Sequence, residues 1–220
     1  PQDRWEEDAG VNAFALGVCI AALVAGAAML PEDERALPLA VADWWNARLE
    51  DWCVARDTPF GAQYGAAAYY VREAPEEIVC DDRAMQRALP VKNHADGMQP
   101  ATDAQVALDF LQLVRLGLRR ADDPVVADSV KLADAILKTD TPAGPVWHRY
   151  NGDGYGEHDD GTPFDGTGRG RGWPLLAGER GHYELAAGRD PLPLLQAMQA
   201  MAHRGLLPEQ AWDAAPVAPF

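Results

Sequence analysis

Apolar residues recur at helical spacing in six separate stretches of the chain. The pattern predicts helices over residues 11–30, 32–56, 103–120, 124–138, 173–187 and 191–203. Pro31, Gly188 and Gly205 stand just beyond three of the expected helix ends, where residues that stop a helix are common. Between residues 57 and 101 the helical period is lost, and residues 66–72 favour a short strand within this loop.

Two of the predicted helices begin with recognisable capping residues. Thr102 is a favourable N-cap for the helix over 103–120. Asp122 and Asp123 followed by Pro124 are typical of a helix entrance, because the dipole favours acids there and proline fits the first turn. The glycine-rich stretch over 139–172 follows, with no periodic pattern, and so long a loop is usually functional or disordered.

The six predicted helices are separated alternately by short and long connections. We therefore expect an all-α fold of three helical hairpins, with short joins near Pro31, Asp122 and Asp190 on one rim. The long connections then share the opposite rim. This places the segment before the first helix, the glycine-rich loop and the segment after the last helix on one face.

Length and charge limit the possible classes of function. A chain of 220 residues with 48% hydrophobic content predicts one globular domain over residues 1–220. A net charge of −15 argues against nucleic acids and anionic membranes as partners, since both need clustered lysine and arginine. Residues 11–30 are long enough to be tested as a membrane span, but the acidic flanks and many small residues favour a buried core helix that also buries Cys19.

Acidic side chains near both ends of the chain are the candidate catalytic groups. Glu6 and Glu7 follow Trp5 just before the first helix, and Glu209 follows the last one. Two carboxyl groups on one rim suit glycosidic-bond hydrolysis, in which one donates a proton and the other activates water. The alternatives remain open: acids before a helix also favour its dipole, and Glu209 fits a solvated loop.

The loop over residues 147–158 mixes aromatic and hydrogen-bonding side chains with glycines, a composition that suits carbohydrate hydroxyls. It also holds oxygen donors for a structural calcium ion, although their spacing is not that of an EF-hand. These donors are Asn151, Asp153, Glu157, Asp159 and Asp160. Arg149 in this loop is alternatively a structural partner for an acid.

Several segments closely resemble the bacterial and archaeal branch of glycoside hydrolase family 15, the inverting glucoamylases and glucodextranases. The segments are residues 5–7, 139–142, 144–157, 162–168, 173–176, 178–188 and 207–210. The resemblance implies an (α/α)6 toroid of helical hairpins that releases β-glucose from the non-reducing ends of α-glucans. It also implies that no cofactor or metal takes part in the chemistry.

By the same resemblance Glu6 is the general acid and Glu209 the general base. The resemblance further implies sugar contacts from Trp5, Glu7, Arg149 and Trp173. The family toroid has six hairpins, whereas the pattern predicts three, so we expect the second half of the domain, with the missing first half as a partner. Family members are often exported, but no export signal is visible, so a secreted or periplasmic location rests on the resemblance alone.

The sequence leaves two points open, the linkage and the class of function. The linkage cleaved is α-1,4, α-1,6 or of the trehalose type, because the residues that would select it cannot be placed. The alternative function, from another class, is a non-catalytic helical-hairpin module that binds glucan or a partner protein through the loop rim.

Overall fold

The computed structural model describes residues 2–94 and 96–217, so the predicted domain limits, residues 1 and 220, lie outside the described residues. The α-helices of this part are α1 (Ala13–Ala27), α2 (Ala36–Asn46), α3 (Leu49–Cys53), α4 (Pro59–Tyr64), α5 (Leu111–Arg115), α6 (Pro124–Leu137), α7 (Pro174–Ala186) and α8 (Leu192–Met201). Four short 3-10 turns lie at Glu32–Glu34, Glu76–Val79, Asp82–Gln86 and Thr102–Ala104. Two antiparallel hairpins pair β1 (Val54–Arg56) with β2 (Ala68–Tyr70), and β3 (Lys138–Thr141) with β4 (Gly144–Trp147).

The first and last predicted hairpins are confirmed, since α1 packs against α2 and α7 packs against α8. Asn12 starts α1 by accepting a hydrogen bond from the amide of Ala15 at 2.7 Å. The range predicted as one helix, 32–56, is divided into a 3-10 turn, α2, α3 and β1. Its end leaves the helix because Val54 pairs with Tyr70 across the first strand hairpin, which satisfies the backbone of both.

The predicted helix over 103–120 is wrong except for its short central part, α5. Thr102 does not cap a helix, because its hydroxyl donates to the carbonyl of Arg87 at 3.1 Å. Gln105 is held extended: its carbonyl accepts from the amide of Arg72 at 2.9 Å, and its side chain bonds to Leu89. These distant partners outweigh the local helical pattern, and the middle hairpin is not formed as predicted.

Helix α6 agrees with its predicted range, and Asp123 caps it by accepting from the amides of Val125 at 2.9 Å and Val126 at 3.3 Å. The helix packs against β2 and α4. Its Ser129 hydroxyl accepts a hydrogen bond from the amide of Tyr70 at 2.9 Å. This contact ties α6 to the strand that the sequence predicts within residues 66–72.

Helix α4 was missed, although the local signals for it are present. Thr58 caps it, Pro59 occupies its first turn and Gly65 ends it in the left-handed region at φ 66°. The helix is only six residues long, so its apolar pattern is too short to show a period.

The glycine-rich stretch is more ordered than predicted. It contains the β3–β4 hairpin, which joins Lys138 to Trp147 and Thr141 to Gly144. Beyond the hairpin its backbone packs against backbone: a Cβ on Gly154 would lie 1.8 Å from the Asn93 carbonyl oxygen. A side chain is sterically excluded there, so glycine in this loop reflects close packing.

Most of the buried apolar residues form one cluster that joins the helices to the first strand hairpin. Helix α1 contributes Leu16 and Ile20 to it but exposes Val18 and Val24, so the predicted core helix is buried on one face only. Cys19 is exposed on the same helix, contrary to expectation. Within residues 2–94 and 96–217, no helix combines the length and the apolar character needed to span a bilayer.

Truncation of the buried Leu132 in α6 tests this assignment of the core. Leu132→Ala is expected to lower the free energy of unfolding by about 2–5 kcal/mol, because the side chain is 0% exposed and leaves a cavity. The matched control Leu185→Ala, at a position 64% exposed in α7, is expected to change it by less than about 0.5 kcal/mol. Urea unfolding measures both, and equal effects would contradict the assignment.

Candidate active site

The segment that carries Trp5, Glu6 and Glu7 is a turn built around the buried side chain of Asp3. One carboxylate oxygen of Asp3 accepts from the amide of Trp5 at 3.1 Å and from that of Glu7 at 2.9 Å. The Asp3 amide donates to the carbonyl of Asp8 at 2.9 Å and closes the turn. Glu6 lies at its tip, exposed and in the left-handed region at φ 60°. The turn therefore points Glu6 outward and Glu7 inward.

Glu7 lies against the glycine-rich loop. Its Oε1 accepts from Nη2 of Arg149 at 2.8 Å, and its Oε2 accepts from the hydroxyl of Tyr150. Arg72 donates to the same Oε2 at 3.3 Å, and the Glu7 side chain is only 9% exposed. These contacts confirm that the segment before the first helix and the glycine-rich loop meet on one face.

Arg72 is a buried cation beneath this turn, and no pattern in the sequence marks it as part of the site. Its Nη2 lies 3.2 Å from Asp3 Oδ2 and 2.7 Å from Asp8 Oδ2, and its guanidinium carbon lies 3.7 Å from the centre of the Tyr150 ring. Burial by itself lowers the pKa of Arg72, but Tyr150 and the surrounding carboxylates outweigh it, so the pKa is raised. Arg72 therefore remains charged and neutralises the acids around it.

Arg149 is a second buried cation, 3% exposed. It donates to both carboxylate oxygens of Asp153, at 2.7 and 2.6 Å, in addition to Glu7. Burial lowers its pKa, but the bonds to Asp153 outweigh this, and the pKa is raised. Arg149 thus pairs with two acids, and its contact with sugar stays a prediction.

Aromatic rings surround the Arg149 guanidinium. Its carbon lies 5.1 Å from the ring centre of Trp5, 5.0 Å from that of Tyr155 and 5.6 Å from that of Trp173. The rings of Trp5 and Trp173 are 5.0 Å apart and tilted by 59°. The indole nitrogens of these two tryptophans are buried and have no hydrogen-bond partner among the described residues. Both N–H groups are therefore enclosed and unpaired in this arrangement of the described residues.

Glu209 lies in an exposed segment that is attached to the same loop. The side chain of the next residue, Gln210, accepts from the amide of Arg171 at 3.0 Å and donates to the carbonyl of Tyr155 at 2.9 Å. The amide of Ala211 donates to the carbonyl of Gly172 at 2.8 Å. The segment after the last helix therefore meets the glycine-rich loop, as the alternation of connections predicts.

Arg4 connects the turn to α7 and was also missed. It donates to both carboxylate oxygens of Glu179, at 3.0 and 2.7 Å, and lies 3.5 Å from Asp109. Its guanidinium carbon lies 4.8 Å from the Trp5 ring centre. Burial raises the pKa of Asp109 to about 7. The sequence offered only the position of Arg4 beside Trp5 as a signal, because its partners are distant along the chain.

The calcium site considered from the sequence does not fit the loop. Asp153 is bonded by Arg149, Asp159 is paired with Arg169 and Arg171, and Asp160 accepts from Thr162. In the part of the chain that the structure describes, the acidic, histidine and cysteine side chains close enough to share a metal ion are those of Asp3, Glu7 and Asp8. Arg72 bonds to all three, so a cation already holds the centre of that group.

Comparison with known proteins gives the family type. No family model matches the chain. A curated glucoamylase from Clostridium sp. (strain G0005) is 34% identical over an alignment of 218 positions, which covers 96% of this chain and 30% of that protein. A crystal structure of a bacterial glucoamylase complexed with acarbose is 34% identical, with a TM-score of 0.86 over 97% of this chain and 31% of that chain. The chain is of the glucoamylase type.

The resemblance to glycoside hydrolase family 15 and the predicted helical (α/α)6-barrel type are thereby confirmed. A glycosidase variant in complex with glucose, 22% identical, shares the fold with a TM-score of 0.61 over 95% of this chain and 44% of that chain. The glucoamylase-type chain spans about a third of the length of the two glucoamylases that it matches.

A buried acid connects the core of this glucoamylase-type chain to the site. Glu73 is 0% exposed, and its Oε2 accepts from the Asn12 side chain at 2.8 Å. Asn12 caps α1, the helix that follows the turn of Glu6 and Glu7. The Oε1 atom of Glu73 has no hydrogen-bond partner among the described residues. Burial raises the pKa of Glu73 from 4.5 to about 8. A pKa of about 8 leaves Glu73 mostly protonated at neutral pH.

The protonation of Glu73 makes stability depend on pH. A carboxyl whose pKa is higher in the folded than in the unfolded state contributes fully below pH 4.5, and this contribution is lost as the pH rises through about 8. Glu73→Gln is expected to remove more than about 1.4 kcal/mol of the fall in unfolding free energy between pH 5 and pH 9. Urea unfolding across this range measures it. The exposed Glu34→Gln serves as the control, and a slope unchanged in Glu73→Gln would refute the assignment.

Proposed function

We propose that the chain supplies the catalytic centre of an exo-acting, inverting glycoside hydrolase that releases β-glucose from the non-reducing ends of α-glucans. The match to a glucoamylase over 96% of the chain supports the hydrolase class. The observation that carries the finer proposal is that the turn of Glu6 and the segment of Glu209 are both fastened to one glycine-rich loop. Two carboxyl groups on one rim are what an inverting hydrolase requires.

In this proposal Glu6 is the general acid and Glu209 the general base. Glu6 is exposed at the tip of the turn, where it can reach the oxygen of a leaving group. Glu209 is exposed as well, so water has access to its carboxylate. In inverting enzymes the two groups are roughly 6.5–9.5 Å apart, which leaves room for that water. The proposed chemistry is proton transfer among two carboxyls and water, which requires no cofactor.

Trp5, Glu7, Arg149 and Trp173 are proposed to bind the terminal glucose. The Glu7 carboxylate, fixed by Arg149, is an acceptor for sugar hydroxyls. The tilted rings of Trp5 and Trp173 offer apolar faces for the sugar. A carboxylate acceptor beside aromatic rings is the reason to prefer an oligosaccharide over an anionic ligand.

We further propose that residues 1–220 act as one domain and pack against a further helical segment of the kind that completes the toroid in this family. Val18 and Val24 on α1 are 41% and 48% exposed, and Leu37 on α2 is 74% exposed. Such an apolar flank needs a covering surface. An exposed apolar flank is equally expected of the second candidate function, a non-catalytic module that binds a partner protein or glucan through its loop rim.

The two functions differ in the fate of the substrate. Glu6→Gln and Glu209→Gln are each expected to lower kcat at least a hundredfold while the unfolding midpoint stays close to that of the wild type, because each removes one proton transfer. Proton NMR of the chain mixed with maltotetraose, isomaltotetraose or trehalose follows newly released β-glucose and identifies the linkage.

The control is Glu76→Gln, which removes an exposed acid on a 3-10 turn and is expected to retain the activity of the wild type. Full activity in both variants of the proposed catalytic pair would refute their roles. Saturable glucan binding without glucose release from the wild type would support the non-catalytic module.

A further inference from the structure

A buried ion pair lies just beyond the segment that carries Glu209. Arg171 and the side chain of Asp213 are 1% and 0% exposed, and Arg171 Nη1 lies 3.2 Å from Asp213 Oδ1. The guanidinium carbon of Arg171 also lies 4.2 Å from the ring centre of Trp212. Its Nη2 donates to the carbonyl of Glu157 at 2.7 Å. The guanidinium therefore joins the C-terminal segment to the glycine-rich loop.

His148 approaches Asp213 from the other side. Its Nε2 lies 3.0 Å from Asp213 Oδ2 and 3.0 Å from the hydroxyl of Thr139, and its Nδ1 faces the carbonyl of Gly170 at 2.9 Å. Burial by itself raises the pKa of Asp213, but His148 and Arg171 outweigh it, so the pKa is lowered and the carboxylate stays charged. Asp213 is thus held between two basic side chains on different parts of the loop.

The contacts of the C-terminal segment begin one residue after Glu209. Gln210 bonds to Arg171 and Tyr155, Ala211 bonds to Gly172, and Asp213 completes the attachment. Glu209 itself is exposed. The position of its backbone therefore depends on the four residues that follow it, and Asp213 is the charged group among them.

We propose that Arg171 and Asp213 are positioning residues that fix the place of Glu209 relative to the substrate. The inference rests on the proposed function, because it gives Glu209 a task that depends on its position. Loss of the Asp213 charge removes the buried ion pair that joins this segment to Arg171, so the segment is expected to loosen. A displacement of about 1 Å in a catalytic group costs up to about a hundredfold in rate.

Asp159 offers a matched control for Asp213. Both carboxylates pair with Nη1 of Arg171, at 3.1 and 3.2 Å, but Asp159 is 61% exposed and belongs to the loop itself. The variants Asp213→Asn and Asp159→Asn therefore remove the same charge from the same arginine. Only the first breaks the attachment of the Glu209 segment.

The experiment measures kcat and KM for release of β-glucose, and amide hydrogen exchange over residues 206–213. Asp213→Asn is expected to lower kcat tenfold to a hundredfold with KM changed less than threefold, and to speed exchange over this segment. Asp159→Asn is expected to leave all three unchanged. Arg171→Lys keeps the positive charge but loses the planar guanidinium and its several N–H donors. Its kcat is expected to lie between that of Arg171→Gln and that of the wild type.

The outcomes separate the two proposals. If the wild type releases glucose and Asp213→Asn retains its kcat, the positioning role is overturned while the proposed function stands. If kcat and KM change together in step with lost thermal stability, Asp213 is merely structural and the proposal is overturned. If the wild type releases no glucose, the proposed function fails, and unchanged exchange in Asp213→Asn would then also overturn the attachment of the Glu209 segment through Asp213.

Discussion

Neutralisation of buried acids by two arginines is the constraint on which this structure depends. Asp3, Glu7 and Asp8 converge on Arg72, while Arg149 joins Glu7 to Asp153. Without these arginines the neighbouring carboxylates would repel one another, because like charges would lie close together away from water. The net charge of −15 of the whole chain adds to this repulsion. Because the carboxylates come from the turn and the loop, the same ion pairs that balance the charge also hold these segments together.

The helices that the sequence predicted well are those in which local and distant preferences agree. Helix α6 has Asp123 as its cap, Pro124 in its first turn and an apolar stripe that meets the core. The stretch over 103–120 has a similar stripe, yet most of it is not helical, because Gln105 bonds to the backbones of Arg72 and Leu89. Nothing in that local sequence shows such partners, which lie elsewhere in the chain and prevail through tertiary contacts.

Prediction of the site had the same limit. Glu7 meets the glycine-rich loop as expected, although the three hairpins behind that expectation are only partly present, and the family resemblance singled out Arg149. Arg72 and Asp3 were not found, because an arginine near a strand end and an aspartate near the start of a chain are ordinary residues until folding joins them across 69 positions. The roles of Glu6 and Glu209 remain predictions, since proton transfer is visible only in an assay.

The close backbone packing at Gly154 limits the conformational freedom of the glycine-rich loop. Chains rich in glycine are usually soft, since each glycine adds conformational freedom. Here a neighbouring carbonyl occupies the space that a side chain would take, as it does at Gly168, where a Cβ would lie 1.9 Å from the Gly156 oxygen. The stretch therefore has less conformational freedom than its glycine content suggests, because its backbone is closely packed at these positions.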